Sequence, residues 1–463
     1  MKIAIIGSGP GGYVCALKSA HLGAEIFIIE DKEVGGTCLN WGCIPTKALT
    51  ASAEMLHKAR HLEDFGIELK GEIIANLSKI MERKDKVVST MVKGIRSLFK
   101  SYGVNLIEGR GSIKPPKEVI VTKRDGSQES IIADKIVIAT GSRPAEIPPF
   151  QFDSKFILSS TDALSIKEIP KKLIIIGAGV IGCEFACIFR ELGSEVTMLE
   201  LMPRPIMTED AEIAEILERE LKKKKIKLMT NVKVTKASVD GDEVIVKLED
   251  GKELRADKVL VSIGRSYNVE GLGLEELGIE RGPKGNIKVN SKMQTNVEEI
   301  YAIGDVTGGI LLAHVASKEG IIAAYNLCGI ERQMDYTVVP SAIFTSPEIG
   351  SVGLREHQCI EKGLNIKIGR FQFRALGKAH AIGEISGMVK IIADSYTDKV
   401  LGVHIIGPNA SDLVHEGALA MEKNLTSKDL ANMIHAHPTL SEAIMESAED
   451  VHSESIHLPR KTL

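Results

Sequence analysis

Short apolar runs that end at glycines recur along the chain. Residues 2–6 (KIAII) read as a buried strand, residues 13–22 as a helix, and residues 25–29 as a second buried strand. Runs of this length, without polar alternation, are typical of strands that lie inside a parallel sheet with helices on both faces. The pattern therefore predicts a βαβ unit and places the chain in the α/β class.

The same arrangement returns in the middle of the chain. Residues 172–176 (KLIII) and 196–199 again read as buried strands on either side of a glycine turn and a helix. A repeated supersecondary unit indicates a repeated domain. We therefore predict two Rossmann-like dinucleotide-binding domains within one α/β chain.

The remaining patterns divide the chain further. Residues 50–100 read as long amphipathic helices, and the strands 388–393 and 400–406 alternate with amphipathic helices in the last third. Pro144, Pro148 and Pro149 mark a boundary after the first domain. The predicted division is a first domain, a second domain, a return to the first, and an α+β C-terminal domain, with the ranges 1–146, 147–267, 268–340 and 341–463.

The first glycine turn carries a dinucleotide fingerprint. Gly7 allows the tight turn, Gly9 lets the backbone approach a pyrophosphate, and Gly12 lets the helix pack on the strand. Glu30 ends the second strand, twenty-three positions after Gly7, where its carboxylate can accept hydrogen bonds from ribose hydroxyls. This unit contains a strand, a glycine turn, a helix and a second strand that ends in an acid, all at the expected spacing. The combination predicts a nucleotide site.

The second turn repeats this fingerprint at equal spacing, since Glu200 also follows its first glycine by twenty-three positions. A carboxylate there repels a 2′-phosphate, which favours NAD over NADP, although Arg204 could hold a phosphate. The predicted binding residues of this turn are Gly177, Ala178, Gly179, Val180, Ile181, Gly182 and Glu200.

Composition excludes several classes of partner. The 463 residues are 44% hydrophobic and 26% charged, with a net charge of -4 and only 4% aromatic residues, so neither nucleic acid nor a membrane is an expected partner. Seven cysteines and no secretory pattern point to a reducing cytoplasm, where a disulfide would be catalytic. No second cysteine pair completes a zinc site, and no metal is expected.

Two cysteines lie five positions apart in the stretch Gly35–Lys47. In regular helix that step rises about 7.5 Å, beyond the roughly 7 Å that a disulfide spans, so pairing of Cys38 and Cys43 requires a bent backbone. Gly42 and Pro45 suit such a bend, and a helix could run on from about Pro45. Thiols at a helix N-terminus favour the thiolate, which indicates a redox pair. The alternatives are two small buried residues or half of a metal site.

The whole chain resembles the flavoprotein disulfide reductases, and among them the dihydrolipoamide dehydrogenases. The motifs that carry the resemblance are the two glycine turns with their acids, Cys38–Lys47, Ala139–Gly141, Tyr301–Asp305 and His435–Glu442. The resemblance implies FAD in the first site, NAD in the second, and a C-terminal dimerisation domain that forms a homodimer.

The resemblance also implies roles for individual residues. Cys43 would be the thiol beside the flavin and Cys38 the exposed thiol that exchanges with substrate, while Lys47 would approach the flavin N5 and pair with Glu184. The residues implied to line FAD are Thr37, Cys38, Lys47, Gly111, Thr140, Gly141, Asp305 and Ala313. Those implied to line NAD, besides the second turn, are Val234, Ile263, Gly264 and Arg265.

His437 lies five positions before Glu442. A carboxylate that accepts the proton-bearing nitrogen would fix the tautomer and strengthen the imidazole as a base. By resemblance His437, from the partner subunit, would deprotonate dihydrolipoamide carried on a lipoyl-bearing acyltransferase of a 2-oxoacid dehydrogenase complex. His435 is expected to be structural.

Three alternatives stay open at this point. Glutathione reductase would share the flavin core but is disfavoured by Glu200. Mercuric reductase is disfavoured because residues 458–463 contain no cysteine pair. A non-enzymatic nucleotide-binding scaffold needs neither the paired cysteines nor the histidine–glutamate pair.

Overall fold

The computed structural model describes residues 1–115 and 117–459. Its first part alternates strands and helices before an antiparallel insertion. The elements are β1 (Lys2–Ile6), α1 (Pro10–His21), β2 (Glu25–Glu30), α2 (Gly36–Trp41), α3 (Cys43–Arg60), α4 (Leu77–Tyr102), β3 (Asn105–Glu108), β4 (Arg110–Lys114), β5 (Glu118–Thr122), β6 (Gln128–Ile132), β7 (Lys135–Ile138) and β8 (Ser142–Pro144).

The middle of the chain repeats that order, and two further elements follow it. The elements of the repeat are β9 (Ile157–Leu158), α5 (Ser160–Ala163), β10 (Lys172–Ile176), α6 (Val180–Leu192), β11 (Glu195–Leu199), α7 (Ala211–Lys223), β12 (Lys227–Met229), β13 (Val234–Asp240), β14 (Glu243–Leu248), β15 (Glu253–Ala256), β16 (Lys258–Val261) and β17 (Arg265–Tyr267). The elements that follow are β18 (Ile300–Ala302) and α8 (Ala313–Leu327).

The last third is built on antiparallel strands. Its elements are β19 (Ser341–Ile343), β20 (Glu348–Gly353), α9 (Glu356–Glu361), β21 (Ile366–Gln372), α10 (Gly377–Ala381), β22 (Met388–Asp394), β23 (Val400–Gly407), α11 (Ala410–Glu422), α12 (Ser427–Asn432) and α13 (Glu442–Asp450). Their five strands form one sheet in the order β19-β20-β23-β22-β21.

The two parallel sheets have the same plan. The first has the order β18-β7-β1-β2-β3 and the second the order β9-β16-β10-β11-β12. In each, a three-stranded antiparallel sheet, β4-β5-β6 or β13-β14-β15, is inserted before the strand that returns beside the central one. The predicted fold class is confirmed, and the internal repeat extends beyond the glycine turns to whole sheets.

Pairing of β18 with β7 brings the chain back to the first sheet, with Ile300 opposite Ile136. The apolar residues 3–6 and 173–176 of the two central strands are buried, which explains these unbroken apolar runs. The predicted ranges of the four parts stay a prediction, which this strand pairing supports. Among the described residues, no helix is both long and apolar enough to cross a membrane.

Candidate active site

The first glycine turn is shaped by contacts that leave no room for a side chain. Gly7 has a φ of +104°, and a Cβ there would lie 2.3 Å from the Ala139 carbonyl oxygen. A Cβ at Gly12 would lie 2.0 Å from the Gly7 oxygen, so α1 can approach the strand only with glycine at this position. A Cβ at Gly9 would meet nothing within 4 Å, so this glycine faces open space at the start of α1. The turn thus fits a pyrophosphate at a helix N-terminus.

Glu30 closes this turn from the end of β2. The carboxylate is buried and accepts hydrogen bonds from the Ser8 amide (2.9 Å), the Ser8 hydroxyl (2.6 Å) and the Lys32 amide (2.9 Å). Burial raises the pKa of Glu30, while these hydrogen bonds oppose the rise. The acid is therefore held in a fixed orientation beside the turn.

The second turn has the same geometry. Gly177 has a φ of +101°, a Cβ at Gly182 would lie 2.1 Å from the Gly177 oxygen, and Gly179 faces open space. Glu200 accepts from the Ala178 amide at 2.5 Å and from the Met202 amide at 2.8 Å. The equivalence of the two predicted sites is therefore visible in their hydrogen bonds.

The side chain of Arg204 is engaged within its own loop. Its Nη2 donates to the carbonyl oxygens of Met207 (3.3 Å) and Glu209 (3.1 Å). These contacts hold Nη2 of Arg204 within the loop, and the roles of Arg204 and Glu200 in the choice of coenzyme stay predictions.

The cysteine stretch forms two helices that break at Gly42. Helix α2 ends at Trp41 and α3 begins at Cys43, because Gly42 adopts φ −146° and ψ −114°, outside the helical region. A Cβ at Gly42 would lie 3.0 Å from the Thr37 oxygen. The bend predicted from the sequence is present, and α3 begins two residues before the predicted Pro45.

Cys43 is the first residue of α3 and is the more acidic thiol. A hydrogen bond from the Cys38 thiol lowers the pKa of Cys43 to about 7; burial opposes this and the charge of Lys47 adds to it. The same hydrogen bond, together with burial, raises the pKa of Cys38. The arrangement thus favours ionisation of Cys43 over ionisation of Cys38. All seven cysteines are free thiols in the structure.

The exposure of the two thiols differs from the expectation. The resemblance implied that Cys38 is the exposed thiol, whereas within this chain Cys43 is exposed and Cys38 is half-buried. The physical reason is that Cys38 packs against the core of the first sheet. Cys43 instead lies at the start of α3, where its thiol interacts electrostatically with Lys47 and Arg265. The roles of the two thiols stay predictions.

Carboxymethylation of the reduced protein tests which of the two thiols has the lower pKa. The alkylation rate of Cys43 is expected to rise with pH through a midpoint of about 7, because only the thiolate reacts. Cys38 is expected to react slowly throughout that range, because its pKa is raised. Peptide mapping after alkylation measures both, and a pH midpoint for Cys43 at or above that of Cys38 would contradict this order of the two thiol pKa values.

Lys47 and Glu184 form the contact that the resemblance implied. Lys47 Nζ lies 2.8 Å from both carboxylate oxygens of Glu184, which is almost fully buried on α6. The pair joins α3 to the second domain. The same carboxylate accepts a hydrogen bond from the Phe344 amide at 3.0 Å, a contact that no sequence pattern indicated.

Asp305 lies in a cluster centred on Ser142. The Ser142 hydroxyl donates to Asp305 and accepts from Arg265 Nε at 2.6 Å, while the Ser142 carbonyl oxygen accepts from Arg265 Nη2 at 2.7 Å and from the Thr37 hydroxyl at 3.4 Å. Burial lowers the pKa of Arg265, although Asp305 opposes the shift. Arg265, which was predicted to line NAD, therefore lies against residues assigned to FAD.

Thr140 and Gly141 are held by Asn268, which the sequence did not single out. The Thr140 hydroxyl donates to the Asn268 carbonyl oxygen at 2.6 Å, and the Asn268 amide group donates to the Thr140 carbonyl oxygen at 2.8 Å. Gly141 has a φ of +68°, and a Cβ there would meet nothing within 4 Å. The turn after β7 is therefore rigid, and Gly141 faces open space.

The remaining predicted residues are spread over several elements. Ala313 begins α8, Gly111 is buried on β4, and Val234 begins β13 beside the core of the second sheet. Ile263 and Gly264 lie between β16 and β17, next to the second turn. Their roles in binding stay predictions.

His437 and Glu442 form a pair in the C-terminal part. His437 Nδ1 donates to Glu442 Oε1 at 2.9 Å, and the Thr439 amide donates to Oε2 at 2.8 Å. Burial opposes ionisation of this carboxylate, yet the hydrogen bonds from Thr439 and His437 lower the pKa of Glu442. The His437 side chain is 76% exposed. His435 is instead satisfied by Glu416 (2.9 Å) and the Met433 carbonyl (2.9 Å).

The structure does not bring His437 to the cysteines of its own chain. Helix α3 has 18 residues and is therefore about 27 Å long, with Cys43 at its start. Lys58, near its far end, lines the same surface groove as Pro438 and Ser441, which follow His437. The base and the thiols of one chain thus lie at opposite ends of this helix.

These features define a two-nucleotide redox protein, and known families contain the same combination. The family profile described as pyridine nucleotide-disulphide oxidoreductase matches residues 1–320, and the dimerisation domain of that family matches residues 339–448. The chain belongs to the pyridine nucleotide-disulphide oxidoreductase family, which confirms the resemblance inferred from the sequence.

Individual relatives match along nearly the whole chain. Dihydrolipoyl dehydrogenase 2, mitochondrial, of Arabidopsis thaliana is 43% identical over 98% of this chain and 91% of its own length. Dihydrolipoyl dehydrogenase of Bacillus subtilis is 43% identical over 98% of both chains. The crystal structure of LpdA from Mycobacterium tuberculosis has a TM-score of 0.92 at 30% identity, covering 97% of this chain and 99% of that one.

The chain is thus an oxidoreductase that uses FAD and NAD. Its residues fit these groups, because Gly9, Gly141 and Gly179 face open space, whereas the other turn glycines are closed by backbone contacts. Glu30 and Glu200 stand beside the respective turns in matching orientations.

Proposed function

We propose that this protein oxidises dihydrolipoamide on a lipoyl-bearing acyltransferase to lipoamide and reduces NAD, as the dehydrogenase component of a 2-oxoacid dehydrogenase complex. The observation that carries the proposal is the acidic thiol of Cys43, hydrogen-bonded to Cys38 and acted on by the charge of Lys47. The His437–Glu442 pair supplies the base that such a substrate requires. The dihydrolipoyl dehydrogenases of Arabidopsis thaliana and Bacillus subtilis cited above match 98% of this chain and 91% and 98% of their own lengths.

The thiols and the histidine perform the first half-reaction. His437 takes a proton from one substrate thiol, and the resulting thiolate attacks Cys38 Sγ of the Cys38–Cys43 disulfide. The disulfide breaks, and Cys43 leaves as a thiolate that the charge of Lys47 favours. The second substrate thiol then attacks the substrate sulfur bound to Cys38, so that the lipoamide ring closes, the bond to Cys38 Sγ breaks, and Cys38 leaves and takes up the proton of that thiol.

Bound FAD supplies the chemistry that takes up the electron pair of the reduced thiols and delivers it to NAD as hydride. In this proposal the first glycine turn, Glu30, Thr37, Thr140, Gly141 and Asp305 hold FAD, and the second turn with Glu200 holds NAD. Lys47 and Glu184 orient the region beside Cys43, where their mutual contact fixes the ammonium.

A homodimer completes the site in this proposal. The base and the thiols of one chain are separated by the length of α3, which supports the proposal that His437 comes from a second copy docked through the part matching the dimerisation domain. Relatives include bacterial and mitochondrial proteins, and we propose the cytoplasm for this chain on the basis of its odd number of free cysteines.

A substrate panel tests the proposed reaction. The FAD-loaded protein is assayed with lipoamide, oxidised glutathione and mercuric ion, each with NADH and with NADPH. We expect turnover with lipoamide and NADH. Turnover only with glutathione or mercuric ion would place the protein with a sister reductase, and a protein inactive with all three and spectrally unchanged by thiols would be a scaffold.

Replacing Glu200 by alanine tests the choice of coenzyme. We expect KM for NAD to rise by about tenfold and the preference for NAD over NADP to narrow, because the removed carboxylate no longer repels a 2′-phosphate. Glu195→Ala, an exposed position at the start of the same strand, is the control and should change neither value. An unchanged NAD/NADP ratio in Glu200→Ala would contradict this role.

A further inference from the structure

Phe344 touches both members of the Lys47–Glu184 pair. The residue follows β19 and belongs to the part that matches the dimerisation domain. Its amide donates to Glu184 Oε1 at 3.0 Å, and Lys47 Nζ lies over its ring, 4.4 Å from the centroid. Three parts of the chain therefore meet at this point, since Lys47 lies on α3 and Glu184 on α6.

The aromatic ring of Phe344 adds a second contact to the Lys47 ammonium, which the ion pair with Glu184 alone would hold weakly. The Lys47 side chain is 30% exposed and has a long, flexible stem, whereas the Glu184 side chain is 6% exposed and accepts two of the ammonium hydrogen bonds. An exposed ion pair alone holds a lysine weakly because water screens it. An aromatic face within about 6 Å attracts the ammonium from a second direction and excludes water there.

The backbone amide of Phe344 acts on the Glu184 carboxylate, the other member of the ion pair. A carboxylate that accepts a backbone hydrogen bond loses rotational freedom, so Glu184 presents both oxygens to Lys47 in one orientation. The Phe344 amide and ring thus fix the anion and the cation separately, from one residue.

We propose that Phe344 is a positioning residue for the redox centre, which holds the Lys47 ammonium and the Glu184 carboxylate in register beside Cys43. The proposal rests on the proposed function, since it assigns Phe344 a part in the same reaction. Phe344 acts through Lys47: the ammonium charge favours the Cys43 thiolate and contributes to the lowered pKa of that thiol. If the ammonium moves away, the thiolate loses this contribution.

Two substitutions separate the ring from the amide. Phe344→Leu removes the aromatic face and keeps the amide, whereas Phe344→Tyr keeps both. In the FAD-loaded enzyme we expect Phe344→Leu to lower kcat roughly threefold to tenfold with KM for dihydrolipoamide unchanged, a fall that matches the loss of one cation–π contact. The pH midpoint of Cys43 alkylation should move above its value of about 7. Phe344→Tyr should restore both values.

A matched control is provided by Phe156. Its ring lies 4.5 Å from Lys155 Nζ and 5.8 Å from Lys258 Nζ, in the second domain away from the thiols. Phe156→Leu removes a comparable contact and should change neither kcat nor the alkylation midpoint. An equal midpoint shift in Phe156→Leu would overturn the proposal, because the effect would then be general.

A double-mutant cycle with Lys47→Met decides whether Phe344 acts through the lysine. Adding Phe344→Leu to Lys47→Met should produce no further fall in kcat and no further shift of the midpoint. The proposal would be overturned if the fall in kcat caused by Phe344→Leu were the same in the Lys47→Met background as in the wild type. It would also be overturned if Phe344→Leu lowered kcat without moving the pH midpoint of Cys43 alkylation. If the wild type fails to oxidise dihydrolipoamide but the midpoint shifts as expected, the proposed function fails while the positioning role stands.

Discussion

Replacing Cys43 with serine is expected to lower dihydrolipoamide oxidation at least about a thousandfold while FAD stays bound, because the hydroxyl can neither form the disulfide nor leave as a thiolate near neutral pH. The FAD content of the purified variant and its turnover with dihydrolipoamide and NAD give the result. Cys43 lies at the start of α3, outside the glycine turn, so its loss should not disturb the nucleotide fold.

Two controls accompany this variant. Cys328→Ser alters a half-buried cysteine at the end of α8 and should retain full turnover. NADH-dependent reduction of a dye by Cys43→Ser should persist, because that reaction does not need the thiol pair. Normal lipoamide turnover in Cys43→Ser would end the proposed thiol exchange.

Replacing His437 with glutamine is expected to reduce kcat/KM for dihydrolipoamide by about 10²- to 10⁴-fold, the usual range for loss of a general base. Glu442→Gln should cost less, since the amide can still contact the imidazole but no longer supplies the negative charge. Glu416→Gln, which alters the partner of the structural His435, is the control and should leave kcat/KM within about twofold.

Mixing two inactive variants tests where this base comes from. In a heterodimer of a Cys43→Ser chain and a His437→Gln chain, one of the two sites combines an intact thiol pair with an intact histidine from the other chain. We expect activity to appear on mixing and refolding, up to half of the wild type per heterodimer. A heterodimer without activity would show that His437 serves its own chain, against the separation that α3 imposes.

Short sequence motifs predicted those parts of the site that are formed within a single short stretch of the chain. The glycine turns could be predicted because Gly7, Gly12, Gly177 and Gly182 each meet a backbone oxygen that no side chain could avoid. The bend at Gly42 could be predicted because helix geometry forbids a disulfide over five residues. The predicted helix 13–22 begins three residues earlier, at Pro10, because proline is well suited to the first turn of a helix.

No sequence motif indicated the following contacts between residues that lie far apart in the sequence. Phe344 and Glu184 are 160 positions apart, and Ser142 and Asp305 are 163 positions apart. Arg265 was assigned to NAD because it follows the second glycine domain, yet its guanidinium turns toward Ser142 once β17 pairs with β8. The partial burial of Cys38 likewise depends on how α2 packs on the first sheet.

Anaerobic titration with dihydrolipoamide tests most directly the claim that the sulfur of Cys43 passes electrons to a flavin. We expect one equivalent to produce a long-wavelength absorption band from a thiolate beside the oxidised flavin, and we expect Cys43→Ser to lack this band. Direct bleaching of the flavin without the band, or a spectrum that dihydrolipoamide does not change, would contradict the account.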